Sequence, residues 1–266
     1  MHQLLVSSIT RATTLLALAL MPLALADPAT TQNTEKAAEP SPAKKAFEAL
    51  KFPGLTVNTE LRCVDVDATI CLDKGSLELV ACTKKTKEHE SLVVVDARPL
   101  HIHTALLLLG AKNGSPASRR IIDEETRQWE ESPPAGDTIE VFLVVKNAEG
   151  KMIERPVSDF ITRNDDPQDA AVEKSADEKK AEKFPATFLF AGSLLLDEGK
   201  TPREYLADTS GSVISISTFG DELLCLPGLQ SQENGALMWE INSNEIPVKD
   251  TKVILRLRPQ KNVPKK

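Results

Sequence analysis

The sequence predicts an α+β fold that is mainly β, with antiparallel or mixed sheets around one prominent buried helix at about residues 99–110. Three observations carry this. Short β-branched or alternating apolar runs recur from residue 61 to residue 259, separated by turn-forming residues. One continuous apolar run, LVVVDA (92–97), leads directly into the helical segment. The composition, 41% hydrophobic and 27% charged over 266 residues, is that of an ordinary globular chain.

Residues 1–26 read as a signal peptide. Arg11 precedes TTLLALALMPLALA, an apolar run too short to span a bilayer comfortably and broken by Pro22. It ends in Ala24-Leu25-Ala26, a small-x-small cleavage site before Asp27. Residues 27–46 contain no large apolar side chain and cannot offset the entropy of ordering, so they read as a flexible linker. The remainder, 47–262, reads as a single domain.

Within it, LRCVDVDATICL alternates, DKGS turns, and SLELVACT returns, the pattern of a hairpin. LVVVDA reads as a central strand buried on both faces. Arg98-Pro99 ends it, because a residue before proline is pushed to an extended conformation. Pro99 then opens the helix and Gly110 suits its left-handed C-terminal cap. Residues 112–137 read as a long loop, with or without a short helix. DTIEVFLVVKN and GKMIERPV form a second hairpin around Ala148-Glu149-Gly150. Residues 164–183 read as a disordered or loosely helical insertion, since only Val172 there is apolar and larger than alanine. ATFLFAGSLLL, REYLA, SVISISTF, LMWEIN and TKVILRLRP then return to strand patterns. The blocks on either side of the insertion lack helical layers of their own, so one shared core is expected.

A net charge of −7 and the lack of a basic stripe interleaved with aromatics argue against nucleic-acid binding. Nothing after residue 26 approaches transmembrane length, so the mature chain is expected to be secreted or periplasmic. Cys63, Cys71, Cys82 and Cys225 would then meet an oxidising compartment. Both disulfides and buried free thiols are compatible with that. For Cys71 and Cys82, a simple register around the DKGS turn pairs Cys71 with about Glu78. A bulge, or a strand ending before Cys71, would instead bring the two cysteines together as a disulfide.

The stretch TKEHESLVVVDARPLHIHTALLLLG (86–110) holds three of the four histidines. Its candidate ligand-binding residues are Lys87, His89, Glu90, Arg98, His101 and His103. A helix from Pro99 buries Ile102, Ala105, Leu106 and Leu109, at i, i+3, i+4 and i+7. His101 and His103 flank that stripe, about 200° apart, and cannot chelate one ion as i, i+4 histidines do. Three uses are open. Glu88 or Glu90 caps the helix or pairs with Arg98, purely for structure. Alternatively, the free N–H groups after Pro99, with Arg98 and Lys87, make an anion-accepting corner. Finally, His89, Glu90, His101 and His103 could serve a metal-dependent or hydrolytic enzyme. No G-x-S-x-G, P-loop or dinucleotide glycine pattern occurs, and no cofactor is indicated. Asp65, Asp67, Glu78 and Asp96 could supply a pair of carboxylates, but Asp65 and Asp67 are more simply the solvent face of an alternating strand.

CLDKGSLELVACTKKTKEHESLVVVDARPLHIHTALLLLGAKNG, PPAGDTIEVFLVV, FLFAGS and IPVKDTKVILRLRP together resemble the YdjY-domain family of exported bacterial proteins, over roughly Phe52 to Pro259. The resemblance implies a secreted or periplasmic β-rich module and no particular activity. It places Cys71 and Cys82 where relatives tend to carry cysteine. Some members add ferredoxin-type iron–sulfur motifs, but the clustered cysteines these need are absent here. The expected function is therefore an exported, non-enzymatic binding or protein-interaction module. Its partner would be an extracytoplasmic protein or a small anionic ligand.

Overall fold

The computed structural model describes residues 52–123, 125–164, 183–197, 199, 203–230 and 238–260. The expected signal peptide, the linker and residues 165–182 of the expected insertion lie outside the described residues. The strands are β1 (Leu55–Asn58), β2 (Cys63–Ile70), β3 (Leu79–Thr83), β4 (Ser91–Val95), β5 (Asn113–Ser115), β6 (Ser118–Asp123), β7 (Gln128–Ser132), β8 (Ala135–Gly136) and β9 (Thr138–Lys146). They continue with β10 (Met152–Pro156), β11 (Ile161–Arg163), β12 (Thr187–Leu189), β13 (Leu195–Leu196), β14 (Glu204–Tyr205), β15 (Ser212–Ser215), β16 (Leu224–Cys225), β17 (Trp239–Ile241) and β18 (Lys252–Pro259). Helix α1 spans Pro99–Leu108 and helix α2 spans Leu206–Ser210.

The fold is mainly β, and eight of the strands close into a barrel in the order β2-β18-β9-β12-β16-β15-β3-β4 and back to β2. All neighbours are antiparallel except β15–β16 and β3–β4, which are parallel. Alternation builds the wall. Val64, Val66, Ala68 and Ile70 of β2 enter the core with Ile139, Val141, Leu143 and Val145 of β9 and Val253, Leu255 and Leu257 of β18. Intervening residues form a charged outer face. Arg256 of β18 grips Asp65 of β2 through two bonds of 2.6 and 2.7 Å, and Arg258 meets Glu154 of β10 at 2.9 and 3.0 Å. Asp65 thus serves the strand's outer face, as its alternation suggests.

Strand β4 is buried along its whole length. Helix α1 follows it as expected, with Pro99 in its first turn and Gly110 at φ +85° just beyond its end. Ile102, Ala105, Leu106 and Leu109 join the same core as the barrel interior. Removing the side chain of such a residue beyond Cβ typically costs about 2–5 kcal/mol. The second expected hairpin also forms, as β9 and β10 in register from Lys146↔Met152 to Phe142↔Pro156. Among the described residues no helix is long and apolar enough to cross a membrane.

Four expectations need correction. The first hairpin does not form, because β4 lies between β2 and β3, antiparallel to the former and parallel to the latter. A strand buried on both faces must satisfy its backbone on both edges, and two flanking strands do this for β4. Residues 112–137 are not a loop with a helix. β5 pairs with β8, and between them β6 and β7 form a separate two-stranded arm. REYLA is not a continuous strand: it gives the two-residue β14 and then opens α2. ATFLFAGSLLL breaks after Leu189, where Gly192 and Ser193 take positive φ values of 86° and 51°. Gly136 lies so close to this break that a Cβ there would sit 2.1 Å from the Phe190 carbonyl oxygen, which accounts for glycine at that position.

Candidate functional site at the two ends of strand β4

The six candidate residues fall into two groups separated by β4. Lys87, His89 and Glu90 lie in or beside the 3-10 turn Glu88–Glu90 before the strand. Arg98, His101 and His103 lie beyond its other end. Five extended residues span about 17 Å, so the two groups do not form one cluster. The His89/Glu90/His101/His103 set that an enzyme would need is not assembled. Among the described residues, no three His, Cys, Asp or Glu side chains are placed to hold a metal ion.

At the helix end, neither Glu88 nor Glu90 serves as the cap. Asp208 of α2 does. Its Oδ1 accepts the Leu100 N–H at 2.9 Å, and its Oδ2 pairs with the Arg98 guanidinium. The exposed donors of a helix start attract an anion, and here the protein's own carboxylate fills that place. His101 stacks at 5.2 Å from Phe52, and its Nδ1 is buried without a partner. Burial, aided by nearby Arg98, lowers its pKa from the ordinary histidine value. His103 Nδ1 lies 2.8 Å from the Tyr205 hydroxyl, which donates to the Gly192 carbonyl at 2.9 Å. With that hydroxyl hydrogen committed, His103 Nδ1 carries the hydrogen of its own bond. Its ring meets Phe190 edge-on at 4.9 Å, and burial holds its pKa below the ordinary value. Both histidines therefore favour the neutral form.

At the other end, Lys87 Nζ donates to Ser212 Oγ at 3.0 Å and lies 3.4 Å from the centroid of the Phe219 ring. The His89 side chain is 76% exposed, with Nε2 3.5 Å from Glu90. Glu88 accepts from the Lys85 N–H. Behind this turn, Cys71 and Cys82 share a small cluster with Leu79, Val94 and Phe219, separate from the barrel core. Both are free thiols, as are Cys63 and Cys225. Burial raises the Cys63 thiol and pushes Cys225 up to about 12. Cys71 and Cys82 share a contact cluster and perturb each other's ionisation. That contact lowers Cys82 and raises Cys71, and the Lys87 N–H also favours the Cys82 thiolate.

Sequence reasoning missed Asp208 and Tyr205. Asp208 lies 108 residues from the amide it caps, and no local pattern could have revealed it. Tyr205, the only tyrosine in the chain, offered a weak signal as a buried aromatic that needs a partner for its hydroxyl.

Fold and site together describe a closed mixed barrel with a capped helix at one end of its central buried strand. The YdjY domain profile matches residues 55–258, and the chain belongs to that family. No curated protein and no solved structure shows a significant match.

Proposed function

We infer that this chain is an exported, non-enzymatic module that acts by binding another extracytoplasmic protein. The observation that carries the reading is the β6–β7 arm. Every residue of β7 is exposed, and all of β6 is exposed except its last residue, Asp123, which is partly buried. The arm bears Ile121, Ile122 and Trp129, each between 44% and 50% exposed. Two strands without a third strand or a covering helix are marginal in water, and exposed aromatic and branched apolar side chains on such an element suit a partner's surface. Cross-strand pairs Arg119–Glu131 and Arg120–Glu130 hold the arm's register and give the patch a polar rim. An external anion at residues 87–103 would have to displace Asp208, so the reading centres on the arm. Export rests on the leader-like residues 1–26. A mature amino terminus at Asp27, seen by intact mass of native-host protein, is its test.

The contact itself is testable with a photo-crosslinking amino acid at position 129 in the native host. A discrete protein adduct is expected, reduced at least tenfold by Ile121→Asp. No such adduct should form from position 248, which is 74% exposed on another loop. Equal labelling from both positions, or none from 129, would remove the arm as the contact.

A further inference from the structure

We propose that Cys71 and Cys82 form a two-sulfur binding site for a soft monovalent cation of the copper(I) or silver(I) class. This inference is independent of the interaction arm. It starts from the strand order. Cys71 follows β2, and its N–H bonds to the Leu92 carbonyl at 3.1 Å, while Cys82 of β3 stands opposite Val94. Strand β4 lies between the two cysteines. Cys71 itself lies just beyond the end of β2 at Ile70. A bridge through one atom, with two metal–sulfur bonds of about 2.3 Å each, would join the two sulfurs without an S–S bond.

The donor set selects the ion. The two cysteines share a small cluster with Leu79 and Val94, against which Phe219 packs. No third His, Cys, Asp or Glu joins them among the described residues. Zinc takes four ligands, and calcium and magnesium take oxygen. Two thiolates alone satisfy soft, two-coordinate ions, and thiolate softness favours copper(I). On binding, both thiols lose their protons and the ion joins the two sulfurs, giving a complex of net charge −1 with two protons released. Lys87 balances that charge, since its ammonium lies over Phe219 at the edge of the cluster. Hydrogen-bond donors are already in place. The Lys87 N–H faces Cys82, and the hydroxyls of Ser91 and Thr86 can turn toward it from the carbonyls they now hold, Lys87 O at 2.7 Å and Thr83 O at 2.6 Å. The Cys71 thiol at present donates to Ser91 O at 3.0 Å. Glu88 faces Cys71 and opposes the complex, but its carboxylate is engaged by Lys85 N–H. Cys82 is fully buried and Cys71 is 8% exposed, so an ion enters past Cys71 and bulky thiol reagents are kept out.

The test is an anaerobic titration of the purified full chain with copper(I), supplied as its acetonitrile complex against a coloured copper(I) chelator. The wild type is expected to withhold one equivalent. Cys71→Ser and Cys82→Ser should each withhold none, while the Cys63→Ser/Cys225→Ser double variant should withhold one. X-ray absorption of the wild-type complex needs no variant and should show two sulfur neighbours. The proposal is overturned if the wild type withholds no copper(I), if either single variant still withholds an equivalent, if absorption shows three or more ligands, or if peptide mapping of the freshly purified protein finds Cys71 joined to Cys82.

Discussion

The two ends of β4 carry similar residues, a cation, an acid and a histidine, yet only one end is closed. Beyond Val95, Arg98, Asp208 and the Leu100 N–H are mutually satisfied, and His103 is buried against Tyr205 and Phe190. Before Ser91, the ion pair is a 3.5 Å approach between Glu90 and a histidine that faces solvent. The difference lies in where the partner comes from. The closed end draws its acid from α2, more than a hundred residues away, while at the open end Lys87 reaches Ser212 and Phe219 but the acid Glu90 pairs only with its chain neighbour His89. Local acids sit nearer in sequence, but the tertiary fold brings Asp208 against the exposed donors. Buried or half-buried donors reward a partner far more than exposed ones do.

Gly211 joins the two ends and should give the largest effect. It terminates α2 at φ +81°, and a Cβ there would lie 2.3 Å from Thr86 Oγ1 in the loop before β4. Gly211→Ala meets both the left-handed backbone penalty and that clash, so a loss of about 2–4 kcal/mol is expected in urea unfolding. A loss below about 0.5 kcal/mol would show that α2 and the loop are not held together there.

Next comes a direct contrast between the ends. Asp208→Ala should cost about 1–3 kcal/mol, since it removes the cap from Leu100 N–H and the partner of Arg98. Glu90→Gln should cost less than about 0.5 kcal/mol, since its partner His89 is exposed and the approach is 3.5 Å. If the order of the two is reversed, the acid that organises the helix start has been misassigned.

A further effect is one of pH. Burial lowers the folded pKa of His103, and of His101 in the same sense, so the unfolded chain binds protons more readily. Stability is therefore full above the unfolded value of about 6.5 and declines as pH falls from there toward the lower folded values. His103→Phe should lose about 1 kcal/mol at pH 8 with the Tyr205 bond, and should show a shallower decline between pH 7 and pH 5. An unchanged slope would mean that His103 is protonated equally in both states.

Much of the frame was legible from local pattern. Alternation in CVDVDATI and KVILRLRP marked strands with one wet face, and both run as strands in the barrel wall. The β-branched run before Arg98-Pro99 marked a strand buried on both sides, followed by a helix ending at Gly110. The β6–β7 arm was not legible, because SRRIID and QWEES carry charges where a strand pattern needs apolar residues. Their register is held by Arg–Glu pairs across the strands, which single-strand periodicity does not report. The candidate residues were identified as a contiguous stretch, but a buried strand runs through the middle of that stretch and holds its two halves apart.

By itself the sequence determined most strands of the barrel wall, where the buried helix begins and ends, and which residues of that helix face the core. These follow from side-chain periodicity, proline's missing N–H and glycine's tolerance of positive φ, all of which act within a few residues. Only the tertiary structure decided that β4 would part β2 from β3, that the barrel would close, and that Asp208 would cap the helix. Each depends on satisfying a buried backbone group or an exposed donor with a partner distant in sequence, and that pairing exists only once the chain has folded around it.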